Sequence, residues 1–375
     1  KRNVYWSAAY KPVMHPYQAF KVIHGIGYSK FFQTIEDIES ELTIFVSAGD
    51  PVEIFHLKLT NRSAEARELD VTSYAEWLLG FAPDEHREFH KLFIDTSADA
   101  GASTLYARKC LWGFADDKGR HNNIDWPYTA FMAVSEPLKS FDCDKESFIG
   151  MYRNDDRPQA MLDAHLAGRS GRFTDAIAAL QVQVSLAPGE SKTIVFTLGA
   201  AEDGREDAAE LVRRYTAPEK SEQALREVKA FWSRFIDTEV VETPDEALNF
   251  MTNYWLKYQS ISGRLWGKSG LYQVSAGIGY RDQLQDSQIF LVSQPEYAKK
   301  QLMLHAAHQF IEGDVYHWWF SIRGGGPRTN CSDDLLWLPF ILDAYLKETA
   351  DYAILDEKAP YLNGPDEPLY DHCKR

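Results

Sequence analysis

The hydrophobic period of this chain changes near Gly199, and that change sets the first limit on its fold. Before Gly199, apolar and polar residues alternate in VEIFHLKLT at 52 to 60 and in LQVQVSL. A period of two predicts half-buried strands. Pro188 and Gly189 separate LQVQVSL from TIVFTL, so residues 180 to 198 predict a pair of neighbouring strands. Many such strands with few helical stretches between them favour an antiparallel β-sandwich.

After Gly199 the apolar residues recur at helical spacing. In SEQALREVKAFWSRFI at 221 to 236 they fall at i, i+4, i+7, i+8 and i+11, on one face of a helix. A second helix is predicted from Thr243, where Pro244 and Glu246 complete a capping box. Its apolar face consists of Leu248, Met251, Trp255 and Tyr258. Further helices are predicted at 282 to 291, 296 to 311 and 334 to 348, which would make the second half all-helical.

Composition limits the partners of the chain. At 375 residues and 45% hydrophobic, it can bury more than one core. A formal charge of −15 opposes nucleic acid and anionic membrane surfaces, so a neutral ligand is more compatible. The four cysteines form no CxxC pair, which favours a reducing cytoplasm over a disulfide framework or a thiolate zinc site. Since no apolar run approaches roughly 18 residues, no membrane span is predicted.

The run from Gly277 to Trp337 is the densest in residues that bind polar ligands. It contains GIGYRDQLQD, EGDVYHWW and RTNCSDDLLWLP. Hydroxyl-rich ligands are bound by carboxylate acceptors, by planar guanidinium and amide donors, and by flat aromatic faces. These types together predict a sugar-binding cleft. The candidate residues are Arg281, Asp282, Gln283, Asp286, Trp318, Trp319, Arg328, Asp333 and Asp334.

The carboxylates also have a purely structural interpretation. Asp282 and Asp286 lie four residues apart on one helix face, where an acidic first turn could simply complement the helix dipole. Ser332 could be an N-cap followed by two ordinary first-turn aspartates. Alternatively, Arg328 could orient one of those two aspartates while both face a ligand.

The aromatic and histidine residues of the same run are equally open to two interpretations. On an extended segment neighbouring side chains point opposite ways, so one of Trp318 and Trp319 can pack inward while the other stacks on a sugar. A metal site is conceivable but disfavoured, because no HExxH arrangement occurs and histidines on helix faces are usually structural. The residues concerned are His305, His308, Asp314 and His317.

Three ordered motifs resemble a known family. GYRDQLQD at 279 to 286, HQFIEGDVYHWW at 308 to 319 and SDDLLWLP at 332 to 339 resemble the inverting phosphorylases of glycoside hydrolase family 94. The family includes cellobiose, cellodextrin, laminaribiose and 1,2-β-oligoglucan phosphorylases, and the phosphorylase-like domain of cyclic β-1,2-glucan synthases. The resemblance extends backward through YWSAAYKPV, HGIGYSKF and PVEIFHLKLTN, and so covers nearly the whole chain.

The resemblance implies a multidomain fold, β then α. It places an antiparallel β-sandwich at 1 to 200, a helical linker at 201 to 243, and the first helices of a truncated (α/α)6 barrel at 244 to 375. The implied reaction is reversible phosphorolysis of a β-glucosidic bond with inversion, which releases α-glucose 1-phosphate and uses phosphate as the nucleophile. Phosphate is therefore a co-substrate, a β-glucoside or β-glucan oligosaccharide is the sugar substrate, and no cofactor or metal is implied. The resemblance also implies a homodimer.

The family's site residues carry over position by position. Arg328 and Asp334 match the arginine and aspartate that grip the glucosyl unit in the donor subsite, and Asp333 is the neighbouring candidate. The remaining matches lie in a motif at the inner end of the barrel and in the aromatic lining. They are Arg281, Asp282, Gln283 and Asp286 for the motif, and Trp318 and Trp319 for the lining.

The resemblance also implies that this chain holds only part of an active site. The family's general acid is an aspartate in a Trp-Asn-Asp context beyond Arg375, so no residue here is assigned that role. Because Lys1 is not an initiator methionine, we expect a piece of a longer protein. Because the general acid is expected beyond Arg375, we expect that piece to be inactive alone. Two hypotheses follow. The chain is the amino-terminal portion of a phosphorylase of hexosyltransferase type, or a non-catalytic carbohydrate-binding or assembly portion of a larger glucan-synthesising protein.

Overall fold

The computed structural model describes residues 4–79, 91–109, 126–202, 204–266, 277–320 and 325–375. The chain divides into two compact units, the first ending at Ala230 and the second beginning at Phe231. We call them the sandwich unit and the helical unit. An antiparallel β domain is thus followed by a helical region, as the hydrophobic periods predict.

Antiparallel strands build the sandwich unit. Its described strands are β1 Ala19–Gly25, β2 Tyr28–Ile35, β3 Ile38–Val46, β4 Val52–Asn61, β5 Arg67–Glu76, β6 Ile94–Asp99, β7 Thr104–Lys109, β8 Thr129–Val134, β9 Ser140–Asp144, β10 Ala176–Leu186 and β11 Ser191–Ala201. Eight of them form one sheet in the order β1-β2-β3-β4-β11-β8-β7-β6, and three form a second sheet in the order β5-β10-β9. The alternating segments at 52 to 60 and 180 to 198 are strands, as predicted.

The prediction that residues 180 to 198 form a pair of neighbouring strands is wrong, because β10 and β11 belong to different sheets. The turn between them is bonded to the end of β4 rather than closing a hairpin. The Asn61 side-chain amide donates to the carbonyl oxygens of Leu186 and Ala187, and the Gly189 amide donates to the Asn61 carbonyl oxygen. This anchoring directs the chain from the small sheet into the large one.

The core of the sandwich unit lies where side chains of both sheets meet. Strand β10 contributes Leu180 and Val182, and β11 contributes Ile194 and Phe196, all at most 4% exposed. The opposite face of β10 covers a smaller cluster with two short helices, α1 Lys145–Ile149 and α2 Gln159–Asp163. Because β10 is covered on both faces, its first seven residues are all buried.

Two helices follow the last strand of the sandwich unit, and the second of them continues past Ala230 into the helical unit. They are α3 Arg205–Tyr215 and α4 Pro218–Ile236. In α4, Ala224, Val228, Trp232 and Phe235 are buried on one face, as their spacing predicts. Pro218 occupies the first position of α4, where its missing amide hydrogen leaves no bond unmade.

The helical unit contains short helices, several of which change type along their length. The first group runs α5 Glu246–Phe250, a π-helical turn Met251–Trp255, α6 Leu256–Gln259 and a second π-helical segment Ser260–Trp266. The later elements are α7 Tyr280–Asp286 with a 3₁₀ turn Ser287–Phe290, α8 Pro295–Ala306, α9 Asp334–Thr349, a 3₁₀ turn Tyr352–Asp356 and α10 Leu369–Lys374. The helix predicted at 334 to 348 is confirmed. The segment predicted at 282 to 291 is helical, but it changes from α-helix to 3₁₀ helix after Asp286.

Two strand pairs correct the prediction of an all-helical second half. They are β12 Gly277–Gly279 with β13 Trp318–Phe320, and β14 Lys358–Pro360 with β15 Asp366–Pro368. The helix predicted at 296 to 311 already ends at Ala306. A tight turn follows, in which Gly313 has a φ of 96° and the Phe310 amide donates to the Asp314 carbonyl oxygen. Glycine reaches that conformation without strain, so the turn replaces the last helical residues.

The predicted capping box at Thr243 is also wrong. Asp245 is the N-cap of α5, and its carboxylate accepts hydrogen bonds from the amides of Ala247 and Leu248. The Asn249 side chain exchanges two hydrogen bonds with the Thr243 backbone, which holds that residue outside the helix. The cap therefore lies two residues later than the sequence pattern suggests.

The apolar face predicted on this helix is present but largely exposed. Leu248, Met251 and Trp255 are each more than 40% exposed, whereas the polar Asn253 is buried.

Among the described residues, no helix is both long and apolar enough to cross a membrane. Cys143, Cys331 and Cys373 are free thiols, and Cys110 lies outside the described residues.

Candidate functional site

The candidate site is built on the short pair of strands β12 and β13. Gly279, the last residue of β12, faces Trp318 across the pair, and the Tyr280 amide opening α7 donates to the His317 carbonyl oxygen at 3.0 Å. Gly326 lies so close that a Cβ there would approach the Trp318 carbonyl oxygen to 1.8 Å. Only glycine fits this contact, so the chain at Gly326 lies directly against β13.

The two tryptophans separate as an extended segment requires. Trp319 is 2% exposed and stacks on the His308 ring at 3.9 Å between centroids, with the His305 ring edge-on at 5.1 Å. Trp318 is 38% exposed. Trp319 is therefore a core residue of the helical unit, and Trp318 is the one that can stack on a ligand.

The histidines beside Trp319 serve packing. His305 is fully buried, and its Nδ1 donates to the Gln301 carbonyl oxygen at 2.7 Å. Burial lowers the pKa of His305 to about 4, and burial also lowers the pKa of His308. Both rings are neutral near pH 7, which suits stacking against apolar neighbours.

Asp334, the first residue of α9, is the buried charge of the site. It is 1% exposed, and its Oδ2 accepts hydrogen bonds from His317 Nδ1 at 2.8 Å and from the Thr329 hydroxyl. In the described part of the chain, no residue donates to the other carboxylate oxygen, Oδ1. A buried carboxylate with one satisfied oxygen can accept hydrogen bonds from a ligand at the other.

Arg328 does not orient either aspartate of the pair at 333 and 334, which corrects that interpretation. Its Nε and Nη2 instead bind both carboxylate oxygens of Asp314, and Nη2 also donates to Glu312 at 3.2 Å. The hydrogen bond from Arg328 lowers the pKa of Asp314, and the guanidinium lies 3.9 Å over the Phe310 ring. Among the described residues Nη1 has no partner, so it remains for a ligand.

The guanidinium that reaches the aspartate pair is that of Arg281. Its Nη1 lies 3.6 Å from Asp333 Oδ2, and its Nη2 lies 3.7 Å from Asp282 Oδ1. The three side chains are each about half exposed, so these ion pairs are weak and open to exchange with a ligand. The interpretation of Ser332 as the N-cap of α9 is wrong, because Asp333 occupies that position. Asp333 makes no side-chain cap bond.

The rest of the RDQLQD motif supports this arrangement from α7. Gln283 is buried, and its Oε1 accepts from the Gly279 amide at 2.6 Å. This bond fixes the junction between β12 and α7. Asp286 is half-buried on the same helix as Asp282, as the spacing predicts. Gln283 is thus a structural member of the site.

Three residues of the site were missed or misjudged from the sequence. Thr329 carries no motif signal beyond its place next to Arg328. His317 and Asp314 are named by the sequence only as possible metal ligands. The hydrogen bonds of all three close between residues 5 to 17 positions apart in irregular loops, so no helical or strand period could reveal them.

One trio of side chains has a donor set suited to a metal. His317, Cys331 and Asp334 place one ligand atom each within 4.8 Å of one another. Imidazole, thiolate and carboxylate are ligands that zinc accepts. In this structure, however, Asp334 Oδ2 already accepts two hydrogen bonds, so a metal there would have to displace them.

Comparisons with known proteins agree across both units. The family model of the glycosyl hydrolase 94 supersandwich domain matches residues 1–218, and that of the glycosyl hydrolase 94 superfamily catalytic domain matches residues 231–375. The chain is 34% identical to the cyclic beta-(1,2)-glucan synthase NdvB of Rhizobium meliloti, over 97% of this chain and 13% of that protein. It is 29% identical to the solabiose phosphorylase of Paenibacillus borealis, over 98% of this chain and 45% of that protein.

More distant matches support the same fold. The N,N'-diacetylchitobiose phosphorylase of Vibrio proteolyticus is 24% identical over 99% of this chain and 48% of its own length. The structure of a provisionally assigned kojibiose phosphorylase from the human microbiome superposes with a TM-score of 0.57 at 9% identity, covering 91% of this chain and 44% of that one. The chain thus spans about half the length of these phosphorylases and a smaller share of the glucan synthase.

Proposed function

Since this chain belongs to glycosyl hydrolase family 94, we propose that the protein containing it catalyses reversible phosphorolysis of a β-glucosidic bond. The substrate is a disaccharide or oligosaccharide, and the product is α-glucose 1-phosphate, formed with inversion. The observation that supports the site is the buried Asp334 carboxylate, in which Oδ2 accepts two hydrogen bonds and Oδ1 accepts none from the described residues. Phosphorylases among the relatives support the reaction class.

In this proposal the described residues bind and orient the donor sugar. Asp334 Oδ1 accepts hydrogen bonds from ring hydroxyls, and Arg328 Nη1 donates to them. The exposed Trp318 stacks on the apolar face of the pyranose. Bidentate contacts of this kind hold the sugar in the distorted geometry that an oxocarbenium-like transition state requires. Asp282, Asp333 and Arg281 offer further exchangeable polar contacts at the rim.

The chemical step needs little else. Phosphate attacks the anomeric carbon from the face opposite the leaving oxygen, which explains the inversion. A carboxylic acid protonates that leaving oxygen as the glycosidic bond breaks. We assign the acid to no residue of this chain. Inorganic phosphate is the co-substrate, and the proposal requires no metal or organic cofactor.

A β-1,2-glucan is the sugar that the comparisons favour. Identity to the cyclic beta-(1,2)-glucan synthase, 34%, exceeds identity to the solabiose phosphorylase, 29%. The same match supports a second candidate function, in which this chain is a carbohydrate-binding portion of a larger glucan-synthesising protein. In that case the site holds a glucan end without breaking it.

The two candidates differ in phosphate release. The full-length protein is incubated with α-glucose 1-phosphate and β-1,2-, β-1,3- or β-1,4-linked glucobiose, and inorganic phosphate is measured. The phosphorylase predicts release with at least one acceptor, greatest for the β-1,2-linked sugar. No release with any of the three would reject it, and sugar binding without release would favour the second candidate.

A substitution tests the donor-subsite assignment. Asp334→Asn should lower kcat/KM about 100-fold, because it removes the charge from a hydrogen-bonding acceptor in the site. Asp343→Asn is the matched control, since Asp343 lies on the same helix with an exposed carboxylate paired to Lys347. The control should stay within about twofold of the parent protein. Retained activity in Asp334→Asn would exclude a role for Asp334 in the donor subsite.

A further inference from the structure

The two donors that bind Asp334 are themselves fixed by backbone hydrogen bonds. The His317 amide donates to the Pro327 carbonyl oxygen at 2.9 Å, and its carbonyl oxygen accepts from Tyr280. The Thr329 amide donates to the Val315 carbonyl oxygen at 2.9 Å, and the Thr329 hydroxyl oxygen accepts from the Cys331 amide at 2.9 Å. Both side chains therefore approach Asp334 from rigid positions.

We propose that His317 and Thr329 are positioning residues for Asp334. They hold Oδ2 from one side and so turn Oδ1 toward the glucosyl unit of the substrate. Hydrogen bonds to Oδ2 stop the carboxylate from rotating, so Oδ1 points in one direction. That direction decides which sugar hydroxyls can donate to it. The proposal rests on the proposed function of Asp334 in the donor subsite.

The direction of the bond between His317 and Asp334 follows from chemistry. Because a carboxylate only accepts, the bonded Nδ1 of His317 carries a hydrogen. His317 is therefore the donor of this bond, and it acts on the substrate through Asp334.

The competing interpretation is a metal centre formed by His317, Cys331 and Asp334. It makes opposite predictions. A metal centre requires the Cys331 thiol, whereas positioning of Asp334 requires only the Cys331 backbone amide. The Thr329 hydroxyl is needed for positioning and is not one of the three ligand groups.

Two pairs of substitutions in the full-length protein test the proposal. Thr329→Val removes the hydroxyl at nearly constant shape, and Thr329→Ser retains it. His317→Leu removes the ring donor, and His317→Asn keeps an N–H near the place of Nδ1. We expect Thr329→Val and His317→Leu to lower kcat/KM for the sugar about 10- to 100-fold, because each removes a hydrogen bond to a charged group. The kcat/KM values of Thr329→Ser and His317→Asn should stay within about fivefold of the parent value. The KM for phosphate should not change in any of the four variants.

A double-mutant cycle separates positioning from a general structural effect. If His317 and Thr329 act through Asp334, Thr329→Val should cause no further loss in the Asp334→Asn protein. Full additivity of the losses from Thr329→Val and Asp334→Asn would overturn the proposal. So would a loss of activity in both Thr329→Ser and His317→Asn as large as that in Thr329→Val and His317→Leu. Far-UV circular dichroism shows whether each variant is folded. If His317→Leu does not fold, Thr329→Val alone still tests the proposal.

Failure of the proposed function is distinguished by binding. Sugar affinity is measured by the change in tryptophan fluorescence for the parent and the four variants. If the parent releases no phosphate but the same ranking appears in affinity, the phosphorylase proposal fails and the positioning role stands. Micromolar Zn²⁺ binding that is lost in Cys331→Ser would instead identify the cluster as a metal centre and overturn the positioning role.

Discussion

The sandwich unit and the helical unit differ in where their large apolar side chains lie. In the sandwich unit the strands send their apolar residues between two sheets, and its most exposed apolar residues, Tyr152 and Leu78, lie in turns and loops. In the helical unit, Leu336, Phe340 and Phe250 lie on helices and are each more than half exposed. The sandwich closes its own core, whereas the described helices leave apolar faces uncovered.

This difference shows that amphipathic spacing identifies a helix without identifying what covers it. The spacing of Leu248, Met251 and Trp255 on one face predicts an amphipathic helix, yet the face is open to solvent in the described part of the chain. The helical unit nevertheless has a well-packed centre around Trp319, Tyr280 and Phe290. Stability and ligand binding should therefore respond differently to changes in the two parts of that unit.

The largest expected effect separates the two adjacent tryptophans. Trp319→Ala should destabilise the helical unit by about 3 to 5 kcal/mol, because it removes a fully buried ring from three aromatic contacts. Trp318→Ala should change stability by less than about 0.5 kcal/mol and weaken sugar binding instead. Urea unfolding followed by circular dichroism, with sugar titrations, measures both. Equal destabilisation would show that Trp318 is also a core residue.

The next prediction compares leucines of the two units. Leu180→Ala should cost about 2 to 5 kcal/mol, since Leu180 is fully buried between the sheets. Leu336→Ala should cost less than about 0.5 kcal/mol in this 375-residue chain, because Leu336 is 66% exposed. Thermal unfolding of the chain checks the pair. A large loss from Leu336→Ala would mean that its helix face is covered after all.

The third prediction concerns acid stability of the helical unit. The folded pKa of His305, about 4, lies below its ordinary value of 6.5 because the ring is buried. The unfolded chain therefore binds more protons between these values, so stability falls as pH drops through this window. The loss at pH 5 relative to pH 8 should be about 2 kcal/mol.

His305→Asn isolates that contribution, because it keeps a donor near Nδ1 and removes the titration. The variant should show a flatter dependence of unfolding free energy on pH between 8 and 5. His165→Asn, which replaces an exposed histidine of the sandwich unit, is the matched control and should keep the parent slope. An unchanged slope in His305→Asn would show that other groups cause the acid sensitivity.

The smallest effect tests where α5 begins. Asp245→Ala should cost about 1 kcal/mol, because its carboxylate caps two amides. Glu246→Gln should be nearly neutral, although the sequence pattern assigns Glu246 to a capping box. Differential scanning calorimetry of the helical transition resolves the two. The reverse ranking would restore the capping box at Thr243.

The boundaries of the main elements follow from local rules, so much of the fold could be predicted from the sequence. The alternation in β4 and the helical face of α4 depend on neighbours within a few residues, and both predictions are confirmed. Strand partnership is different. β10 does not pair with β11, and the turn between them is bound by Asn61, which lies 125 residues from Leu186.

The candidate site shows the same division. Residue types and motif order identify the segment and the family, and they place Asp334 and Trp318 among the ligand-binding candidates. They do not give the partners. Arg328 is the nearer arginine in the sequence, but its guanidinium is taken up by Asp314 and Glu312, and Arg281 reaches Asp333 instead.

The sequence by itself determined the order of a β region and a helical region, because hydrophobic period is a local property. Its ordered motifs identified the family by resemblance, and residue chemistry marked the candidate carboxylates. Only the tertiary structure decided which strands pair, which tryptophan is buried, and which oxygen of Asp334 is bound by His317 and Thr329. These outcomes depend on contacts such as that between His317 and Asp334, which the β12–β13 pair and the loop ending at α9 bring together. The physical reason is that a buried charge takes the donors that folding places around it, whatever their separation in the sequence.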